Sequence, residues 1–377
     1  MMMKKIALFF MAAAMMVACQ NDDTDFSAYT GGTTAGTHVI YITYSGTSVT
    51  IDGDNSGYVT SSGADVTVNT GSANDSLLLV LSGSTADGSL VIYRQKAFGI
   101  RLNGVSITNG DGPAINNQCG KELYLEVASG TTNTLADGTS YTERDYDQKG
   151  ALFSEGQVYV VGTGTLTVNG NCKHAFACDD YLVIGDDVTL NINSSSGNGI
   201  KVNDGLWINN GTLNISVTAD AARGIKCDSV VVISGGNTTI STTGNCAYDA
   251  DKQDYSSAAC IRCGYRFTMT DGKLTMTSSG DGGKGINCDA DIVFSGGTLV
   301  ATTTGDNNEG KPKAVKGDMG IIVSGGSFTA KVNKGWACDN GYEDDTLSDA
   351  ELALKRITVE GNPTSASITK KSVIITY

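Results

Sequence analysis

Lys201, Lys226, Arg262 and Lys316 each directly follow an apolar residue, and Asp179, Asp228, Asp289 and Asp318 each stand three residues past one. Such offsets, repeated, place cations and carboxylates in parallel rows on one edge of the molecule. Two chemistries follow. The rows can neutralise each other, because like charges stacked closely repel. Alternatively, the cations can meet the carboxylates of an acidic polymer, while the aspartates offer Ca²⁺ the oxygen ligands that a hard cation takes.

The rows require elements that repeat. The apolar anchors are Leu152, Phe176, Ile200, Ile225, Ile261, Ile286, Val315 and Trp336, spaced by 24, 24, 25, 36, 25, 29 and 21 residues. Apolar residues recur six and eight past the anchor, as in Leu206 and Ile208, and glycine recurs eleven past it, as in Gly211, Gly236 and Gly297. A further alternation follows, as in Leu213, Ile215 and Val217. Each unit therefore holds three short strands of period two with glycine corners. A unit this short cannot bury its apolar face alone, but stacked coils about 4.8 Å apart can. The spacing predicts an all-β chain: a right-handed parallel β-helix with three-stranded coils of about 24 residues. A propeller needs antiparallel blades of about 40 or more residues, and the leucine-rich pattern is absent.

Two past the anchor lies an inward position, holding Cys178, Val202, Cys227, Cys263, Cys288 and Cys338. Cysteine packs there as a small hydrophobe. The ladder accounts for Cys263, so Cys260-x-x-Cys263 is not read as a metal or redox motif. A second outward set, two before the anchor, is Arg223, Lys284, Lys313 and Lys334.

Insertions enter before the first strand of several coils: Tyr141 to Lys149, Asp249 to Tyr255 and Asp306 to Lys311. Solenoid insertions gather on one face, often the binding face. Asp249, Asp251 and Asp254 are candidate Ca²⁺ ligands, and Tyr248 and Tyr255 candidate sugar-stacking rings. The alternative is a solvated polar loop, since the EF-hand glycine and glutamate are missing. Cys246 and Cys260 flank this insertion, and a disulfide at its base is expected. Seven past the anchor, an outward row contains Tyr159, Val183, Trp207, Val232 and Ile322. Tyr159 and Trp207 suit sugar stacking, but so long an apolar stripe favours cover by another segment. The strand-like tail after Ile357 is the expected cover.

The chain has 377 residues, 48 Gly, 3 Pro and a net charge of −14. An acidic surface disfavours nucleic acid and is compatible with bound cations. At the start, Lys4 and Lys5 precede a short apolar run, a leader rather than a membrane span. Met16-Val17-Ala18-Cys19 resembles a bacterial lipobox, which implies lipidation of Cys19 and an outer-membrane anchor. The acidic stretch after it resembles a surface-export tag. The expected divisions are a signal peptide over 1–18, a tether and cap over 19–50, the β-helix over 51–345 and a packing tail over 346–377.

The segments "IRLNGVSITNGDGPAI", "TTNTLADGTSY", "GTGTLTVNG", "NGIKVNDGLWINNGTLNI" and "RGIKCDSVVVISGG" together resemble a bacterial carbohydrate-binding family of secreted, calcium-binding parallel β-helices. The resemblance spans roughly residues 75 to 340. It implies a non-catalytic binder of plant polysaccharides, with polygalacturonate and cellulose as the ligands reported for the family. That family carries acidic residues just before the Gly-Ile of its coils, where this chain has Asn198, Arg223 and Lys284. Two other readings stand beside it. One is a calcium-dependent polysaccharide lyase with Lys226 or Arg262 as base beside Asp228 and Asp289. The other is a structural or adhesive surface solenoid.

Globomycin treatment or Cys19→Ser is expected to change processing and release the protein from membranes. Normal processing with membrane retention of the Cys19→Ser protein would contradict the lipidation reading.

Overall fold

Parallel strands stack in register from one coil to the next. Phe176 pairs with Ile200, Ile200 with Ile225, Ile225 with Ile261, Ile261 with Ile286 and Ile286 with Val315. The computed structural model describes residues 37–73, 75–306 and 309–377. The expected leader and Cys19 lie outside the described residues. What remains is a β-solenoid of about 11 turns, with three strands in a typical coil, such as His174–Cys178, Tyr181–Ile184 and Thr189–Ser194.

First strands form a sheet of 12, from Val59–Ser62 to Trp336–Asp339. Second and third strands form the other two columns. These are joined into one sheet because Phe98–Asn109 runs around the corner and pairs with both Leu123–Val127 and Thr132–Asp137. Alternation puts every second side chain inside. Leu206, Ile208, Leu213, Ile215 and Val217 are buried, as are their counterparts along the stack. The recurring glycines serve a corner. Gly211, Gly236, Gly272, Gly297 and Gly326 all have positive φ, from +70° to +88°. A Cβ on Gly236 would stand 2.6 Å from the carbonyl oxygen of Gly211 in the coil below. Only glycine tolerates both the left-handed backbone and that approach.

The cysteine ladder is interior packing. Val202, Cys227, Cys263 and Cys288 pair in sequence and are buried. Burial pushes the Cys178 thiol up to about 12 and that of Cys227 up to about 11, which makes them poor nucleophiles. Above Cys288, however, stands Gly317 rather than a cysteine. The last coil is two residues out of the expected register. Trp336 pairs with Lys313, Cys338 with Val315 and Asp339 with Lys316. Gly335, with φ +88°, makes the turn against Pro312, so the anchor of this coil is Cys338 and not Trp336.

The expected Cys246–Cys260 bridge is absent. Cys260 is a free thiol pointing into the core, with its Sγ 3.8 Å from Thr242 Oγ1, whereas Cys246 lies against Gly282 and Gly310. The tail also departs from expectation. Thr358–Val359 extends the second-strand column on Ile322–Val323, and Ser372–Thr376 pairs antiparallel with Ser327–Lys331. It closes the end of the stack instead of covering the Tyr159–Trp207 row, which protects an otherwise open sheet edge. Within the tail, Asp349–Lys355 is a helix with a Ser348/Glu351 capping box. Arg356 lies over the Trp336 ring at 4.0 Å and pairs with buried Asp339 at 2.5 Å. The other end is closed by the antiparallel pairs His38–Ser45 with Ser48–Asp52 and Val59–Ser62 with Asp65–Gly71.

Phe294 is fully buried against Phe328, ring centroids 5.6 Å apart. Phe294→Ala is expected to cost about 3–5 kcal/mol, read as a lower urea midpoint. An unchanged midpoint would contradict the packing.

Candidate functional site

The charged rows lie on the outer face of the first-strand sheet. Lys201 pairs with Lys226 and Lys226 with Arg262, then Asn287 and Lys316 follow in register. Beside them, at the turn, each backbone N–H donates to the coil before: Glu155 to Asn117, Asp179 to Ser154, Asp228 to Val202, Asp289 to Cys263 and Asp318 to Cys288. This bonding makes the carboxylate row as regular as the cation row.

The two rows are paired with each other. Lys201 Nζ reaches Asp228 Oδ2 at 2.6 Å on the next coil, and Arg262 reaches Asp289 at 2.5 Å on the next. Lys316 pairs within its own coil with Asp318 at 2.6 Å, and Lys226 lies 3.8 Å from Asp228 Oδ1. The carboxyl ends stay open to water, with side-chain exposures of 52% for Asp228, 45% for Asp289 and 42% for Asp318. Exposed pairs of this kind contribute only about 0–1 kcal/mol each, so an incoming charged polymer can exchange for them at small cost. Burial pushes the Lys226 ammonium down, with Lys201, Arg223 and Arg262 adding to the effect and Asp228 opposing it.

The row two before the anchor also faces outward, but Lys284 is covered by insertions and Lys313 by the last coil. Lys284 is buried, bonded to Ser257 and, at 3.2 Å, to the carbonyl of Gly310. Burial, then Lys316, Lys313 and Arg223, push it down to about 8. Lys313 is buried and paired with Asp339. The register of the last coil puts Trp336 in this row where Lys334 was expected. These lysines are therefore not exposed ligand contacts.

Asp228, Asp289 and Asp318 each face a cation, so they do not share an oxygen cage. Asp179 does better. With Asp147 and Glu155 it forms a group of three carboxylates whose ligand atoms lie within 4.8 Å of one another. That donor set fits a hard divalent cation. Lys149 now neutralises it, pairing with Asp147 at 2.5 Å and with Asp179. Burial and the neighbouring Asp179 push the Glu155 carboxyl up. Glu155 was findable from sequence, since it stands three past Leu152, in the aspartate row. Asp147 comes from the insertion before it, where spacing carries no register.

The Asp249–Tyr255 insertion is a β-hairpin. Asp249 accepts from the backbone N–H of Asp251 at 3.2 Å and pairs with Lys252 at 2.5 Å, and Asp254 accepts from the N–H of Tyr255 at 2.8 Å. Asp249, Asp251 and Asp254 serve the turn and are not among the converging carboxylates of the described residues. Tyr248, 59% exposed, meets Tyr255 edge-on at 5.4 Å.

On the second-strand column, Tyr159 and Trp207 flank Val183 in register, half-buried and uncovered by the tail. Two further rings join them. Tyr124 stacks on Tyr159 at 5.2 Å, and Tyr181 stands edge-on between Tyr159 and Trp207, 5.8 Å from each. The Tyr159 and Tyr181 hydroxyls bond at 2.6 Å. The seven-past row does not contain Tyr181, which sits two residues before Val183, so periodicity missed it.

The family model for carbohydrate-binding domain-containing proteins matches residues 62–228 and 216–310. This chain belongs to that carbohydrate-binding domain family. A protein of Acetivibrio thermocellus described as a carbohydrate-binding domain-containing protein is 29% identical over 119 residues, covering 30% of this chain and 42% of that protein. The chain thus spans less than half the length of that relative. The structure of a polysaccharide lyase-like protein from C. thermocellum, a gadolinium derivative, aligns with a TM-score of 0.53 at 24% identity, covering 68% of this chain and 96% of the other. This second likeness concerns the fold.

His174 marks how densely positive this face is. Its Nδ1 accepts from the N–H of Asn198 at 3.0 Å. Burial, then Lys201, Lys226 and Lys173, push the imidazole down from 6.5 to about 4. The unfolded chain binds that proton at higher pH than the folded one, so stability falls as pH drops from 6.5 to about 4, by up to about 3 kcal/mol. His174→Asn keeps an acceptor near the same place and is expected to flatten this part of the stability–pH curve. An identical slope in the variant would contradict the assignment.

Proposed function

We propose that this protein is a surface-anchored, non-catalytic binder of an acidic, uronate-rich polysaccharide held along the first-strand sheet with calcium assistance. The observation that carries the reading is the ladder of Lys201, Lys226, Arg262 and Lys316, partly exposed and each beside an exposed aspartate, on the sheet whose first strands follow the insertions. Family membership supplies the carbohydrate. The ladder supplies the preference for negative charge, because uronate carboxylates can replace Asp228, Asp289 and Asp318 as partners of the cations. Calcium enters through Asp147, Glu155 and Asp179, which would bridge it to a sugar carboxylate and release Lys149. Tyr248 on the hairpin and the Tyr159–Trp207 patch would stack on sugar rings at the margins. No single contact is strong, so affinity comes from several coils acting together, and outer-membrane attachment through Cys19 would add avidity.

A lyase on the same face is the second reading. It is favoured by the Lys226 ammonium, pushed down by burial and cationic neighbours toward the range that suits a general base.

Retardation in a gel containing polygalacturonate is expected for the parent protein, weakening with salt and with chelator. Replacing both Lys226 and Arg262 by alanine should reduce retardation with unchanged circular dichroism, since both side chains point outward. Equal retardation of the double variant would reject this face, and ultraviolet-absorbing unsaturated products would favour the lyase.

A further inference from the structure

The insertion over 138–149 folds back over earlier coils instead of standing into solvent. Asn116 Nδ2 and Gln118 Nε2, on the outer face of the first-strand sheet, both donate to the carbonyl of Asp147 at 3.0 Å. The N–H of Thr142 donates to Asp111 at 2.8 Å, and Gln148 Nε2 donates to the Thr142 carbonyl at 2.9 Å. These bonds bring Tyr146 back over the sheet to Tyr93, whose strand lies further toward the N-terminal end. The two half-buried rings meet edge-to-face, centroids 6.2 Å apart and planes at 75°. Grooves of about 510 Å³ and about 470 Å³ adjoin the loop, and Arg144, Tyr146 and Asp147 line both.

We propose that the groove bounded by Tyr93, Tyr146, Gln118, Arg144 and Asp145 is a subsite for a neutral pyranose residue. This rests on the polysaccharide-binding reading and deepens it: the ligand becomes a polymer in which neutral sugars accompany uronates. Two rings at a steep angle form a corner whose faces suit the C–H faces of a sugar ring, large and rigid contact surfaces at low conformational cost. The charge balance then selects the sugar. Arg144 is paired with Asp111 at 3.1 Å, and Lys149 is shared between Asp147 and Asp179. With Asp147 held by Lys149, Asp145, which lines the groove, is left without an ion-pair partner among the described residues. That carboxylate would repel a uronate placed against it, whereas neighbouring hydroxyls of a neutral sugar can donate to it. The cation ladder begins farther along the same sheet at Lys201, so one chain lying along the axis meets the neutral subsite and then the charged one. The loop is tied at several points, so the corner is formed before the ligand arrives.

Calorimetric titration of the full chain with α-1,4-linked galactotetraose and with α-1,4-linked tetragalacturonate, a neutral and an acidic oligosaccharide that differ only at C6, tests this. Tyr146→Ala is expected to weaken galactotetraose binding by about tenfold or more and to leave tetragalacturonate affinity and the thermal midpoint unchanged. Tyr146→Phe should keep both affinities. The subsite is overturned if Tyr146→Ala and Tyr93→Ala bind galactotetraose as tightly as the parent. It is also overturned if the parent takes tetragalacturonate but not galactotetraose, in which case the broader reading stands. A parent that binds neither oligosaccharide and no polysaccharide in a gel would sink both.

Discussion

Everything in this molecule depends on parallel coils stacking in register about 4.8 Å apart. That spacing puts like on like. Inside, it means Ile200 under Ile225 under Ile261, a continuous apolar column that no single coil could build. Outside, it means that any residue type repeated at one position becomes a row. A row of lysines alone would repel itself, and so would a row of aspartates. Setting the two side by side, with Lys201 reaching Asp228 and Arg262 reaching Asp289 on the following coils, relieves both and adds bonds between coils. Stability and a charged surface thus have the same origin.

The same stacking explains where variation is tolerated. A coil can lengthen only at a corner, because an extra residue within a strand would reverse every side chain beyond it. The long insertions all enter just before a first strand. There they cover Lys284, turning an outward cation into a buried one, whereas Lys313 is buried against Asp339 of the last coil, itself paired with Arg356. Buried Lys284 is held by Ser257, just after one insertion, and by Gly310 in the next, so the bases of neighbouring insertions are fastened to each other through it.

Periodicity carried most of the fold into view. Apolar alternation, glycine corners and the cysteine ladder are all local consequences of stacking, so the residues at Leu206, Gly236 and Cys227 announce their places. Legibility failed where register is set by something other than the repeat. Trp336 mimics an anchor because it follows Gly335, yet the turn against Pro312 shifts that coil by two residues. Cys246 and Cys260 flank a hairpin but point into different surroundings, which spacing does not encode. The tail reads as strands, but which edge it joins depends on the open end of the stack. For the site, the paired rows were visible and their mutual pairing was one of two readings. Tyr93 with Tyr146, and Asp147 with Glu155 and Asp179, meet only because a loop folds back across coils, and no offset in the sequence records that.

We propose that an acidic glycan lies along the first-strand sheet, spanning several coils. Hydrogen exchange of the backbone amides, measured with and without oligogalacturonate, tests it most directly. New protection is expected at the turns that follow the cation row, around Asn203, Asp228, Asp289 and Asp318, with the second- and third-strand columns unchanged. Protection confined to the column that carries Tyr124, Tyr159 and Trp207, with those turns unaffected, would contradict it.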